Sequence, residues 1–319
     1  MQTRQVKVSW QGCFFLAEFS AMASPCELLM ALPQERKKQA EQLAHLAAKE
    51  VWRIEETYSR YRQDNLFAQL HRHPDQPQRV DAETARLLNF ADQAWQLSEG
   101  LFDITSGVLR QVWTFDGSDR LPSPEAVKAL LSQVGWDKLH WQSDAPTTEG
   151  EVGGGWLTLP TGMELDFGGL GKEYAADRAL GLMMQQLEAD QLPFSSQPGL
   201  LVNLGGDLAC SGPADKGKPW RVGIESPAED DQTSGVLEIS CGGLATSGDS
   251  RRYLIHKGKR YSHLLDPRTG WPLEGAPRSV TVAAPSCVQS GLVASLALLQ
   301  GSRARAFLQE TGLKHWILE

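Results

Sequence analysis

The chain is poor in several features that would make assignment simple. Among 319 residues there are only five cysteines, Cys13, Cys26, Cys210, Cys241 and Cys287, odd in number and with no Cys-x-x-Cys pair. Zinc frameworks and disulfide scaffolds need closely spaced partners, so neither is expected, and reduced, mostly buried thiols are. No stretch approaches the roughly 18 consecutive apolar residues of a membrane helix. Basic charge is in deficit: 31 Lys and Arg against 39 Asp and Glu leave a net charge of −8. Double-stranded nucleic acid is therefore an unsuitable partner, because its binding needs a basic face to replace condensed counterions. The first thirty residues lack the charged-then-apolar layout of a secretory signal. A cytoplasmic protein is the expectation; a mature periplasmic form with its signal removed has the same pattern.

Hydrophobic residues at 41% and charged residues at 22% supply a buried core and exclude intrinsic disorder. The 30 glycines stand above the roughly 7% of ordinary chains. No Pro/Ser-rich linker interrupts the chain, so residues 1–319 are read as one continuous domain.

Periodicity supplies the elements. Val6, Val8 and Trp10, then Phe14, Phe15, Ala17 and Phe19, alternate as a strand pair. Pro33 to Tyr58 has helical spacing with a charged outer face. Asp81 and Ser123 are good N-caps for helices that stop at Gly100 and Gly135. Residues 143–155 and 191–199 are loops by composition. Trp156–Pro160 and Met163–Phe167 flank a Thr-Gly turn as a hairpin. A helix follows over Lys172–Asp190. Strands are predicted at Leu200–Leu204, Trp220–Ile224, Val236–Ser240, Arg252–His256, Tyr261–Leu265 and Ser279–Ala284. A helix over Ser290–Thr311 broken at Gly301, and a closing strand at His315–Leu318, end the chain. Without regular βαβ alternation, the class is α+β: a mixed or antiparallel sheet flanked by helices.

Four clusters set glycine beside charged or hydroxyl side chains at predicted strand ends. Asp166-Phe167-Gly168-Gly169-Leu170-Gly171-Lys172 runs from a strand into a helix, which suits either an anion at the helix N-terminus or a tight turn with no ligand. It matches neither the P-loop nor the dinucleotide fingerprint. Asn203-Leu204-Gly205-Gly206-Asp207 is equally a plain turn. Thr246-Ser247-Gly248-Asp249-Ser250-Arg251-Arg252 suits phosphate or metal–phosphate binding, or an Asx/ST turn with solvated arginines. In Tyr261-Ser262-His263-Leu264-Leu265-Asp266-Pro267-Arg268-Thr269-Gly270, His263 and Leu265 share one strand face, and His263 is a candidate proton acceptor. Together the four point to one phosphate-rich ligand site.

These clusters, with GLFDITSGVL, Trp113, Phe115 and SVTVAAPSC, occur in an order that resembles the ApbE family, the FAD:protein FMN transferases, from about Met22 to Gly301. The resemblance implies an ApbE-like α+β domain that binds FAD and Mg²⁺. It implies cleavage of the pyrophosphate, transfer of FMN to a Thr or Ser hydroxyl of an acceptor flavoprotein, and release of AMP. Met22 and Ala23 match the segment near the flavin, Asp103 and Thr105 the FDxT element, and Lys172 the lysine after the GG turn. Ser247, Gly248, Asp266, Arg268 and Thr269 fall among the cofactor-binding motifs. Asp249 and His263 match polar residues near the diphosphate, with His263 the candidate base. The carbonyl of Gly171 and the hydroxyl of Ser295 stand at metal-ligand positions. One position departs: Gly291 occupies the place of the family's metal-binding Asp, which weakens the Mg²⁺ site, and Asp166, Asp207 and Asp249 are the candidate substitutes. Asn65 and His71 depart from the family's N-terminal motif. Two alternatives keep the cradle without the transfer: hydrolysis of FAD to FMN and AMP, and FAD binding without catalysis.

Overall fold

Alternation over Phe15–Ala21 turns Phe15, Ala17, Phe19 and Ala21 to one buried face, and that face begins the main sheet. The computed structural model describes residues 4–145, 153–190, 198–214, 217–225, 233–249 and 252–319. Strands β1 (Lys7–Trp10), β2 (Phe15–Ala21) and β3 (Ser24–Met30) form a meander. It continues through β7 (Leu200–Leu204), β8 (Asp207–Cys210), β11 (Gly242–Gly248), β16 (Ser279–Ala284) and β17 (Lys314–Leu318). Each strand lies beside the one before it in this sheet, and each of its pairings is antiparallel. Smaller pairings join β4 (Gln78–Val80) and β5 (His140–Ser143) to β6 (Gly155–Thr158), and β9 (Trp220–Glu225) to β10 (Thr233–Ile239). Two more join β12 (Tyr253–His256) to β13 (Lys259–Ser262) and β14 (Leu265–Asp266) to β15 (Trp271–Pro272).

The helices are α1 (Lys37–Tyr58), α2 (Leu66–Arg72), α3 (Ala82–Leu97), α4 (Pro124–Leu131), α5 (Gly171–Ala189), α6 (Cys287–Leu299) and α7 (Ala304–Thr311). Helix α1 packs on β2, α5 on β7 and β8, and α6 on β11 and β16, so the three follow the sheet in order. Alanines at 40, 44, 47 and 48 of α1 and 175, 176 and 179 of α5, all fully buried, let those two helices approach closely. A second cluster of Val108, Leu109, Trp113, Val127, Val134 and Leu254 carries Phe115, Tyr261 and Trp271 on its flank.

Two contacts fix α6 against its neighbours. Asp177 of α5 accepts the backbone N–H groups of Cys287 and Val288, both at 2.9 Å, and so caps α6 from another helix. At Gly243 of β11 an added Cβ would lie 2.2 Å from the Cys287 nitrogen, so only glycine admits the helix end so near the strand.

The α+β class with an antiparallel sheet is as the pattern requires. Asp81 and Ser123 cap α3 and α4 through Thr84 N and Ala126 N. Several elements differ. Ser24–Met30 is a third N-terminal strand, and α2 lies where no helix was expected. Asp207–Cys210 and Gly242–Gly248, where no strand is predicted, are strands at the centre of the sheet, and Asp207 and Thr246–Gly248 of the two glycine-rich clusters belong to them. Met163–Phe167 is no strand: Leu165 N donates to His71 Nε2 of α2 and Asp166 N to Ile104 O, so this backbone is satisfied by a helix side chain and a loop carbonyl. The strand predicted over Tyr261–Leu265 breaks at His263, between β13 and β14.

Removing the interhelical cap should be costly. Asp177→Ala is expected to lower unfolding free energy by about 1–2 kcal/mol in a urea titration, with Asp177→Asn losing less, since one amide oxygen can still accept.

Candidate functional site

The antiparallel register brings three turns to one edge of the sheet. Cys26 pairs with Leu204, Leu244 with Leu208 and Gly248 with Ser279, so residues 22–23, 205–206 and 248–249 emerge side by side. Met22 and Ala23 form the β2–β3 turn with φ of 50° and 57°, and Met22 N donates to Glu55 Oε1 at 2.7 Å. The Gly205 turn lies against it, since a Cβ there would meet Ser24 Oγ at 2.7 Å.

Under this edge sits a buried ionic cluster at the start of α5. Lys172 Nζ meets Asp207 Oδ2 at 2.9 Å, and Asp207 is 4% exposed. The Thr246 backbone of β11 also favours the charged form of that carboxylate. Burial pushes the Asp207 carboxyl up and Lys172 opposes this; burial likewise works to depress Lys172, but Asp207 outweighs it and raises the ammonium. Glu173, only 6% exposed, is raised by burial first and by the Asp207 charge second. Its Oε2 is buried with no hydrogen-bond partner among the described residues.

Helix α6 closes the cluster. Ser295 Oγ and Ser247 Oγ share a hydrogen bond of 2.9 Å, joining α6 to β11. Gly291 lies one turn before Ser295, and a Cβ on it would fall 2.6 Å from Glu173 Cγ and 2.7 Å from its Oε1. The Glu173 side chain thus occupies the space an amino-acid side chain at 291 would need.

His263 belongs to a second group. Its Nδ1 lies 3.2 Å from the Arg252 carbonyl, which can only accept, so Nδ1 carries the proton and Nε2 keeps its lone pair. Phe115 stands edge-on to the ring at 6.3 Å. Burial first, then the Arg252 charge, lower its pKa to about 4, against smaller opposing effects that include the Asp249 carboxylate. The ring is therefore neutral at pH 7 with its Nε2 lone pair unprotonated, but at a cost in basicity, because a general base works best with a pKa near the working pH.

Other expected residues are brought into the same region but point their polar atoms into the protein. Asp249 is held by Arg260 Nε and Arg278 Nε, each at 2.8 Å. Asp103 accepts from Thr105 N, Thr105 Oγ1 and Trp136 N, and Thr105 Oγ1 accepts from Gly135 N. Asp266 accepts from Arg268 N and pairs with its guanidinium, leaving Arg268 and Thr269 on the surface. These are turn-building carboxylates. The first glycine cluster offers fewer free N–H groups than its pattern suggests, because Gly168 donates to Asp166 and both Leu170 and Gly171 donate to the Phe167 carbonyl. Ser250 and Arg251 lie outside the described residues.

A divalent cation calls for hard oxygen donors. No group of three or more His, Cys, Asp or Glu is arranged for a metal among the described residues. Of the three expected substitutes, Asp166 is engaged by Arg60 and Gly168 N, Asp249 by two arginines and Asp207 by Lys172. The free oxygen belongs to Glu173. A Glu in the first turn of a helix ordinarily serves the helix dipole, and only the crossing of α6 reveals this other surrounding.

The model of the ApbE family matches residues 22–317. A Salmonella typhimurium FAD:protein FMN transferase is 31% identical over 271 residues, 80% of this chain and 70% of its own length. Its Haemophilus influenzae counterpart is 27% identical over 82% of this chain and 73% of its own. The ApbE protein of Thermotoga maritima superimposes with a TM-score of 0.78 at 25% identity, covering 95% and 94% of the two chains. The apo Pseudomonas stutzeri flavinyl transferase ApbE gives 0.76 at 25%, covering 99% and 92%.

The burial of His263 has a direct readout. In an NMR titration of selectively labelled protein, the His263 ring is expected to protonate near pH 4. A midpoint near the ordinary 6.5 would contradict the desolvated, Arg252-facing position.

Proposed function

The chain belongs to the ApbE family, and we propose that it cleaves FAD and attaches FMN through a phosphoester to a Thr or Ser hydroxyl of an acceptor flavoprotein. AMP is the leaving product. The observation that carries this reading is the convergence at one sheet edge of the 22–23 turn, the Lys172–Asp207 pair, the 205–206 turn and the Ser247–Ser295 bridge. FAD hydrolysis and simple FAD binding are not favoured, because the curated relatives named above are transferases.

The chemistry follows from the charges. The acceptor hydroxyl oxygen forms a bond to the flavin-side phosphorus, the bond from that phosphorus to the bridging oxygen breaks, and AMP carries that oxygen away. The hydroxyl proton goes to the Nε2 lone pair of His263, which the Nδ1–H bond to Arg252 keeps in the accepting tautomer. Lys172, held beside Asp207, supplies positive charge near the diphosphate. The Met22–Ala23 turn, tied down by Glu55, is the expected contact with the flavin.

The residues present fit a hard divalent cation: the Ser295 hydroxyl, the Gly171 carbonyl and a buried carboxylate oxygen without a partner. Bound there, such an ion would neutralise charge developing on the diphosphate.

Purified protein given FAD, Mg²⁺ and an acceptor flavoprotein is expected to release AMP and leave the acceptor heavier by one FMN, read by mass spectrometry. AMP without modified acceptor would indicate the hydrolase, and no AMP would leave only binding. His263→Ala is expected to cut turnover by about 10²–10⁴ while sparing FAD affinity; an equal loss of both would remove the base assignment.

A further inference from the structure

We propose that Glu173 is the carboxylate ligand of the divalent cation in this chain, reaching from α5 into the place vacated at Gly291 of α6. This rests on the transferase reading above and names a ligand that reading leaves open. The resemblance puts an aspartate at 291, and here the position is glycine. The space is not empty. A Cβ at 291 would stand 2.6 Å from Glu173 Cγ, 2.7 Å from Oε1 and 3.0 Å from Cδ, so the glutamate carboxyl fills the volume an aspartate would fill. With Glu173 in this rotamer the two carboxylates cannot both be present, as expected of one ligand delivered from either helix.

Burial and charge point the same way. Glu173 is 94% buried, taking its 6% exposure from the whole, and its Oε2 has no protein partner among the described residues. A buried carboxyl left so is destabilising unless another partner binds it. The charged groups that act most strongly on it are the carboxylates of Asp207 and Asp177 and, opposing them, the Lys172 ammonium. Three carboxylates against one ammonium leave a deficit of positive charge that a divalent ion corrects. The same two helices carry neutral oxygens one turn or less along the chain from Glu173 and Gly291. Ser295 follows Gly291 by four residues on one face of α6, and Gly171 opens the turn of α5 that carries Glu173. One carboxylate with hydroxyl, carbonyl, water and phosphate oxygens is an ordinary Mg²⁺ environment.

The test is Mn²⁺ binding by the full chain without FAD, followed by electron paramagnetic resonance with Mn²⁺ alone and with Mn²⁺ plus ADP as a diphosphate. The native protein is expected to bind one ion. Glu173→Gln, which keeps the volume, should weaken binding by about tenfold or more. Gly291→Asp alone should also weaken it, because the new side chain collides with Glu173. The double variant Glu173→Gly with Gly291→Asp should recover binding to within about threefold of native, which no purely structural role for Glu173 explains. Native-like Mn²⁺ affinity in Glu173→Gln, no recovery in the double variant, or no binding by the native protein under either condition would each overturn the proposal. The transferase reading is scored separately by AMP release: native activity with a Glu173→Gln variant that binds Mn²⁺ normally defeats only the ligand. Glu173-dependent Mn²⁺ binding without AMP release defeats only the reaction.

Discussion

The contact between α5 and α6 governs the rest of the site. Two features of one helix reach the other: Asp177 caps the first turn of α6, and Glu173 lies where a side chain at Gly291 would stand. Close packing leaves no slack there, so the spacing of the helices, the glycine and the buried carboxylate depend on one another. The same crossing carries Ser295 to Ser247 and thus ties the helices to the central strand β11.

The electrostatics follow from that packing. Burial forces the carboxyls of Glu173 and Asp207 upward, and Lys172 is the charged group that opposes it. Such a cluster is poor in positive charge, in an environment where the field of a bound ion is weakly screened. His263 shows the opposite arrangement: a ring kept neutral by burial and Arg252, with its Nε2 lone pair unprotonated. A site for a diphosphate and a hydroxyl nucleophile needs both, positive charge at the phosphates and a neutral acceptor at the hydroxyl.

Much of this was legible in the sequence, and the remainder has physical reasons. Asp81 and Ser123 were read correctly as caps because a cap depends on three neighbouring residues. Leu200–Leu204 and Ser279–Ala284 are legible to the residue because both are short, mainly apolar or β-branched runs. Asp207–Cys210 is not, since its first residue is a charged one whose burial depends on Lys172 from another element. Met163–Phe167 alternates like a strand but finds no partner strand, and pairing is a non-local fact. Within the site, motif order names Asp249 and Asp266, whose oxygens meet arginines and turns in this structure, which only the tertiary contacts reveal. Glu173 went unnamed beside Lys172 because its meaning lies in a helix more than a hundred residues away.

The most direct measurement of this account is an anomalous difference map from crystals of the full chain grown with Mn²⁺ and FAD. The expected result is one peak within coordination distance of the Glu173 carboxylate, the Ser295 hydroxyl and the Gly171 carbonyl, with the FAD diphosphate beside it. A peak on Asp249 or Asp166 instead, with the Glu173 carboxylate left unligated, would contradict it.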